Sequence, residues 1–161
     1  MLNEILIIIL LTFLPFLELR ASIPYGIIVL GKEYWLLVFA IAVAANILLG
    51  PILYVFFHKI IRLFLKVKSI NKLWEKVIER AQKKVKPYIE KYGVIGLGIF
   101  IGVPLPGSGV YTGSIGGYLL GFNFKDFMKS VVIGVLIAGI VVTIISYSGI
   151  SGFEIFLKKI G

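Results

Sequence analysis

The chain has no cysteine and a single histidine in 161 residues. The first absence excludes disulfides, cysteine-based zinc sites and thiol nucleophiles. The second leaves no pair of imidazoles for a metal centre, and no metal-ligand spacing or Walker-type phosphate loop occurs elsewhere. Gly107-Ser108-Gly109 lacks the flanking pattern of a nucleophile elbow, and no base is visible for Ser108. These gaps predict a protein that is not an enzyme, with no catalytic residues, no metal ligands and no cofactor. Acidic residues are also scarce: eight Asp and Glu stand against seventeen Lys and Arg, for a formal net charge of +9.

What fills the chain instead is apolar. It is 59% hydrophobic with a mean hydropathy of +1.02, where soluble domains are about 45–50% apolar. A chain this short leaves much of its surface uncovered, so lipid is the solvent that suits it. The expected class is an all-α integral membrane protein of the multi-pass kind. The charge distribution agrees. Residues 58–92 hold eleven Lys and Arg against three Glu, which is +8 of the +9. A basic loop between apolar segments follows the positive-inside rule. It therefore predicts a cell-membrane protein with a cytoplasmic linker at 58–92 and no nucleic-acid partner.

Along the chain, residues 1–17 are apolar apart from Asn3 and Glu4. They lack a positive n-region and a small-x-small cleavage site, so the segment is expected to stay in the mature protein. The run 5–17 is too short to cross a bilayer, which takes about 20 residues. Glu18, Arg20, Pro24 and Gly26 follow, then a second short apolar run at 27–30. This predicts a re-entrant hairpin over 1–31 with its tip at 18–24. Residues 34–57 carry no formal charge and are long enough to span, interrupted by Asn46 and Gly50-Pro51. Pro51 should kink the helix unless neighbours satisfy the carbonyl it frees.

In the basic linker, Ile70, Leu73, Trp74, Val77, Ile78, Ala81, Val85, Tyr88 and Ile89 recur at spacings of three and four. That is one face of an amphipathic helix, either packed on the protein or lying on anionic headgroups. A second short apolar run precedes Pro104-Leu105-Pro106-Gly107-Ser108-Gly109, whose two prolines and two glycines cannot continue a helix. A second re-entrant hairpin is expected over 93–122. A polar turn at 123–129, a charge-free span at 130–150 and an interfacial cap at 151–161 follow.

The two halves repeat one order, short broken hairpin then full span. The expected architecture is therefore a first membrane repeat at 1–57, the amphipathic linker helix at 58–92 and a second membrane repeat at 93–150. With the linker cytoplasmic, the repeats run in opposite directions across the membrane. Such an inverted repeat is the plan of many secondary transporters.

Broken backbone in lipid leaves N–H and C=O groups unpaired unless protein or a wet cavity shelters it. Each hairpin tip is the natural shelter for the other. Half-helix N-termini meeting there would favour an anion. Glu18 and Arg20 are the only charges between Glu4 and Lys32, and intramembrane charges usually face a cavity or a partner. Spaced i,i+2, they would point apart on a helix. Two readings stand side by side. They form a mutual ion pair closing the tip, or Arg20 holds an anionic headgroup while Glu18 serves as a proton or cation site. Ser108, Tyr111, Thr112 and Ser114 would bind substrate or back-bond their own helix turn. Asn46 would be a site residue or a helix–helix hydrogen bond, His58 interfacial, and Gly93, Gly96, Gly98 and Gly102 a packing stripe.

At the two tips the sequence resembles a known family, the small multidrug export proteins. The stretch Pro15-Phe16-Leu17-Glu18-Leu19-Arg20-Ala21-Ser22-Ile23-Pro24-Tyr25-Gly26 looks like its first signature. Pro104-Leu105-Pro106-Gly107-Ser108-Gly109-Val110-Tyr111-Thr112-Gly113 looks like the second. The family is similar in turn to the DedA/VTT superfamily of re-entrant-hairpin proteins. The resemblance implies a small secondary transporter or lipid flippase moving an amphiphile with an anionic head, a lipid phosphate or phospholipid, across the cell membrane. A proton or sodium gradient is the candidate driving force, and membrane lipids and a homodimer are the candidate partners. On that resemblance Glu18 and Arg20 match the acidic and basic positions of the first hairpin, and Pro104, Pro106 and Gly107 the tip of the second. DedA proteins carry further arginines after a hairpin break. Here the second tip offers hydroxyls and no charge until Lys125. A multidrug exporter and a non-transporting scaffold, assembly factor or passive channel remain the alternatives.

Overall fold

The computed structural model describes residues 1–65, 92–104 and 108–160, with side chains to 60 in the first stretch and to 149 in the last. Six α-helices and one 3-10 turn account for almost all of them, and no strand occurs among the described residues. Helix α1 (Leu2–Phe13) ends where Pro15 forces the preceding Leu14 into extended backbone, φ −78° and ψ 133°. Helix α2 (Glu18–Leu30) follows after four residues and stops at Gly31, whose φ of 100° suits glycine. The tip of this hairpin is therefore 14–17, earlier than the 18–24 expected, and Pro24 sits inside α2.

A 3-10 turn (Lys32–Tyr34) leads into α3 (Trp35–Leu65), which runs through Pro51 as one helix and past the expected end at residue 57. Helices α4 (Tyr92–Gly102) and α5 (Val110–Leu119) flank the second tip. Helix α6 (Phe124–Ile160) starts earlier than the span expected from 130, and it absorbs most of the residues expected to form a separate cap at 151–161. Its start has a physical cause. The Asn123 Oδ1 accepts from the Asp126 backbone N–H at 2.9 Å, and the Asn123 Nδ2 donates to the Asp126 carboxylate at 2.8 Å. This is the reciprocal pairing of an N-cap. The amphipathic pattern at 70–89 lies outside the described residues.

The packing follows from small residues at the crossings. Helices α1 and α2 are antiparallel: the hydroxyls of Thr12 and Ser22 are 2.7 Å apart, and Gly26 faces Ile8. Helices α4 and α5 are antiparallel too, with Gly113 against Ile101 and Gly117 against Leu97. Helices α3 and α6 cross antiparallel, Gly50 facing Met128 and Val131 while Gly139 faces Phe39 and Val43. The closest approach is α4 on α6: a Cβ at Gly134 would lie 2.6 Å from the Gly98 carbonyl oxygen. Such backbone contact is how helices gain dispersion energy where lipid removes the hydrophobic drive to associate. One continuous core results, with Ile8, Leu19, Ile23, Ile27 and Phe127 fully enclosed.

The outward faces are apolar as well. Leu36, Leu48, Ile52 and Phe56 on α3 and Leu136, Ile140 and Ile144 on α6 are exposed, and exposed apolar faces mark a membrane or partner contact. Stretches Lys32–Ile60 and Phe124–Gly149 are long and apolar enough to cross a membrane.

Gly134→Ala is expected to lower stability by about 1–3 kcal/mol, because its methyl meets Ile101 and backbone that cannot yield. Gly116→Ala, with nothing within 4 Å of the new Cβ, is expected to be neutral or to stabilise by about 0.5–1 kcal/mol. Thermal melts of the two variants in the same detergent check this, and a reversed order would refute the packing account.

Candidate functional site

The two hairpin tips meet, and charged side chains join them. The turn after α1 holds two non-glycine residues in left-handed backbone, Phe16 at φ 68° and Glu18 at φ 47°. That conformation is costly for L-residues. It takes Glu18 out of helical register, so its side chain turns inward, where the residue is only 2% exposed. This is also why Glu18 and Arg20 meet despite their spacing. The Arg20 Nη1 donates to the Glu18 Oε2 at 3.3 Å.

The carboxylate has further partners across the interface. The Val110 N–H donates to Oε2 and the Tyr111 N–H to Oε1, each at 3.3 Å. These are the first two residues of α5, whose amides have no partner within their own helix and carry its positive dipole end. Arg20 does the converse. Its Nη2 donates to the Val103 carbonyl at 3.0 Å, the Ser108 Oγ at 3.1 Å and, more weakly, the Ile101 carbonyl at 3.4 Å. Ile101 and Val103 lie at the C-terminal end of α4, where unpaired carbonyls favour a cation. The acid and the base of one hairpin thus cap opposite ends of the two half-helices of the other.

The second hairpin returns the service. The Tyr111 hydroxyl donates to the Phe13 carbonyl at 2.5 Å, an orphan acceptor at the end of α1. Within its own tip, Ser108 donates to the Val103 carbonyl at 2.5 Å. Gly109 makes room for the whole arrangement. Its φ is 117°, and a Cβ there would lie 2.6 Å from both the Arg20 Nη1 and the Glu18 Oε2.

The remaining expected site residues divide. Ser114 back-bonds the Val110 carbonyl at 2.6 Å, the bland alternative for it. Thr112 is half-buried on α5, Pro24 half-buried in α2, and Pro104 exposed at the end of α4. Pro106 and Gly107 lie outside the described residues. Gly26 is a packing position: a Cβ there would meet Val38 at 2.5 Å and Ile8 at 2.9 Å. Asn46 is 1% exposed, and its Oδ1 has no partner among the described residues. Eight residues from the Gly26–Val38 contact along each helix lead to Glu18 and Asn46, so Asn46 lies at the depth of the tips.

Sequence reasoning missed Thr12, the one hydroxyl in the run 5–17, and the carbonyls of α4, which have no sequence signal. His58, expected at the membrane edge, is half-buried. The imidazole is stacked on Tyr54 with centroids 4.4 Å apart and meets the Tyr118 ring edge-on at 4.7 Å. Among the described residues no group of His, Asp and Glu is placed to hold a metal ion.

The described residues are almost all helical, and two of the helices are long and apolar enough to cross a bilayer, which is compatible with a membrane protein. Comparison with known families specifies which. The family model described as Putative small multi-drug export protein matches residues 18–141, most of the chain, and the chain belongs to that family. No curated protein and no solved structure matches it.

Gly109→Ala is expected to cost at least about 2 kcal/mol, combining a left-handed backbone with collisions on both charged groups. Tyr111→Phe removes one hydrogen bond and is expected to cost about 1 kcal/mol. Chemical unfolding in a fixed micelle tests the order of the two.

Proposed function

We propose that this chain is a small secondary transporter whose substrate is an amphiphile with an anionic head, a lipid phosphate or phospholipid, bound between the two tips at Arg20. The observation that carries the reading is the pairing of Glu18 and Arg20 with the ends of α4 and α5. A guanidinium and two free-ended amides converge there, a combination suited to oxyanions. The Arg20 Nε is a further buried donor, with no partner among the described residues. Family membership supports transport and export.

In this reading both hairpins are re-entrant. Helices of 12, 13 and 10 residues, α1, α2 and α5, reach about 15–20 Å at 1.5 Å per residue, against a hydrocarbon core of about 30 Å. The halves form an inverted repeat. A shift of 90 positions carries Leu2 onto Tyr92, Leu30 onto Leu120 and the left-handed Gly31 onto Gly121, and the antiparallel crossing of α3 and α6 suits a two-fold axis between them. The basic linker faces the cytoplasm, rocking of the repeats alternates access, an ion gradient drives it, and a homodimer is the working unit.

One observation favours a second reading, a non-transporting scaffold: both oxygens of Glu18 are already satisfied by the protein itself, as in a permanent clamp. Flux into proteoliposomes separates the two. Arg20→Ala is expected to abolish saturable flux, and Arg20→Lys, which keeps charge but not the fork, to lower it about tenfold or more. Because the chain lacks cysteine, Ser108→Cys reports access to an impermeant thiol reagent. Labelling that changes with substrate and gradient is the transporter's signature. Unchanged labelling together with normal flux from Arg20→Ala would end the proposal.

A further inference from the structure

We infer that the Glu18 carboxylate is a built-in stand-in for the transported oxyanion, holding the Val110 and Tyr111 amides and Arg20 while the seat is empty and yielding them, on taking up one proton, when the anion docks. This rests on the transporter reading above and deepens it by assigning the coupling ion and the charge balance.

The geometry points there in three ways. First, Glu18 presents two oxygens of one carboxylate to two successive amides, Oε2 to Val110 and Oε1 to Tyr111, with the guanidinium on Oε2. A phosphodiester head presents the same motif, two oxygens on one atom sharing a single negative charge. It would satisfy the same donors one for one. Second, the carboxylate is the tenant of this seat, not part of its frame. It arrives from the other hairpin on a residue in left-handed backbone, φ 47°, a conformation costly for an L-residue. The frame, Gly109 and the start of α5, belongs to the second hairpin. Third, Arg20 is largely buried, with its side chain 14% exposed. A buried cation without a counter-charge is unfavourable, so one anion must always be present. Two anions would leave an uncompensated negative charge instead.

Exchange of Glu18 for substrate therefore requires Glu18 to become neutral. The proton binds to a carboxylate oxygen as the amides let go, and returns to water when the anion leaves on the far side. One proton and one monoanion travel together, and the transported pair is electrically neutral. Few other groups enter this balance. Among the described residues, Arg20 on α2 and the Tyr111 phenol on α5 are the titratable groups that face Glu18. Residues 5–17 of the first hairpin, 93–112 of the second, 34–57 of α3 and 130–150 of α6 carry no formal charge.

The test uses the full chain in nanodiscs of phosphatidylcholine, with two probes that do not titrate near neutrality. Dimethyl phosphate supplies the head alone, and dihexanoylphosphatidylglycerol supplies it on short acyl chains. In the wild type, affinity should rise about tenfold for each unit of pH lowered while Glu18 is ionised, with about one proton taken up per anion bound, read by an indicator in weak buffer. Glu18→Gln, which imitates the protonated state, should bind at least about tenfold more tightly than wild type at about pH 8, with no pH slope and no proton uptake. Glu18→Asp, one methylene shorter, withdraws its charge from the amides and should also bind more tightly there, which covers the case of a misfolded Gln variant.

Binding of both probes assigns the site to the oxyanion itself. Binding of the lipid probe alone assigns it to a headgroup presented from the bilayer. Either result supports the exchange. A Gln variant that keeps the wild-type slope, an Asp variant that binds more weakly than wild type, or no binding of either probe overturns it. If Arg20-dependent flux persists in those cases, the exchange fails and the transporter reading stands.

Discussion

A helix that stops inside an apolar medium exposes peptide groups that have nowhere to go. Water would satisfy them, but lipid and packed side chains cannot, and each orphan costs several kcal/mol. This chain interrupts its helices after Phe13 and Gly102 and restarts one at Val110. The architecture around the tips follows from closing those accounts. The Phe13 carbonyl receives the Tyr111 hydroxyl, the Ile101 and Val103 carbonyls receive Arg20, and the amides of Val110 and Tyr111 reach Glu18. Each of these bonds crosses from one hairpin to the other. Neither hairpin is complete alone, and the contact between them is as obligatory as the backbone bonds inside a helix.

Such cross-bonding needs the backbones close, and the small residues provide for that. Gly109 leaves the space in which both charged side chains lie, and Gly113 and Gly117 let α5 settle on α4. Gly98 and Gly134 then bring α4 against α6 at backbone distance. The long antiparallel pair α3 and α6 is the frame on which the hairpins rest, with α2 touching both of its members. The chain spends its glycines on proximity at the centre and its large aliphatic residues on the outer faces.

Much of this was legible in the sequence, for physical reasons. Composition alone pointed to a membrane protein. The Pro-Gly cluster after residue 103 marked the second break, whereas the first falls at Pro15 and not at 18–24, and Pro24 and Pro51 lie inside helices. Glu18 and Arg20 stood out as the only formal charges between Glu4 and Lys32. What stayed hidden lacks a local signature. Nothing in Phe16 or Glu18 announces left-handed backbone, so an i,i+2 spacing that should separate two side chains instead brings them together. The early start of α6 was written in Asn123 and Asp126, a cap passed over because the polar run around it looked like a turn. Tyr111 belonged to a hydroxyl cluster with two expected roles, substrate contact or back-bonding within its own helix. Its hydroxyl does not back-bond its own helix, since its acceptor lies on α1, and no reading of local spacing reaches across 98 positions.

The ion pair also constrains how such a molecule can move. Parting the tips as they stand would strip Glu18 of its amides and Arg20 of its carbonyls together. Breaking one buried charge from its partners typically costs about 3–5 kcal/mol, comparable with much of a small domain's stability. A simple hinge that opens the tips with both charges intact is therefore unfavourable. Two routes avoid that cost: replacing the partners or removing a charge. Both act at one point, the Glu18 carboxylate, which the Arg20 guanidinium and the Val110 and Tyr111 amides share. A clamp built only for strength would have divided the two charges between the hairpins, where each would hold the other across the gap. Carrying both on α2 leaves the contact between the hairpins to bonds from Arg20 to the α4 carbonyls and from the α5 amides to Glu18.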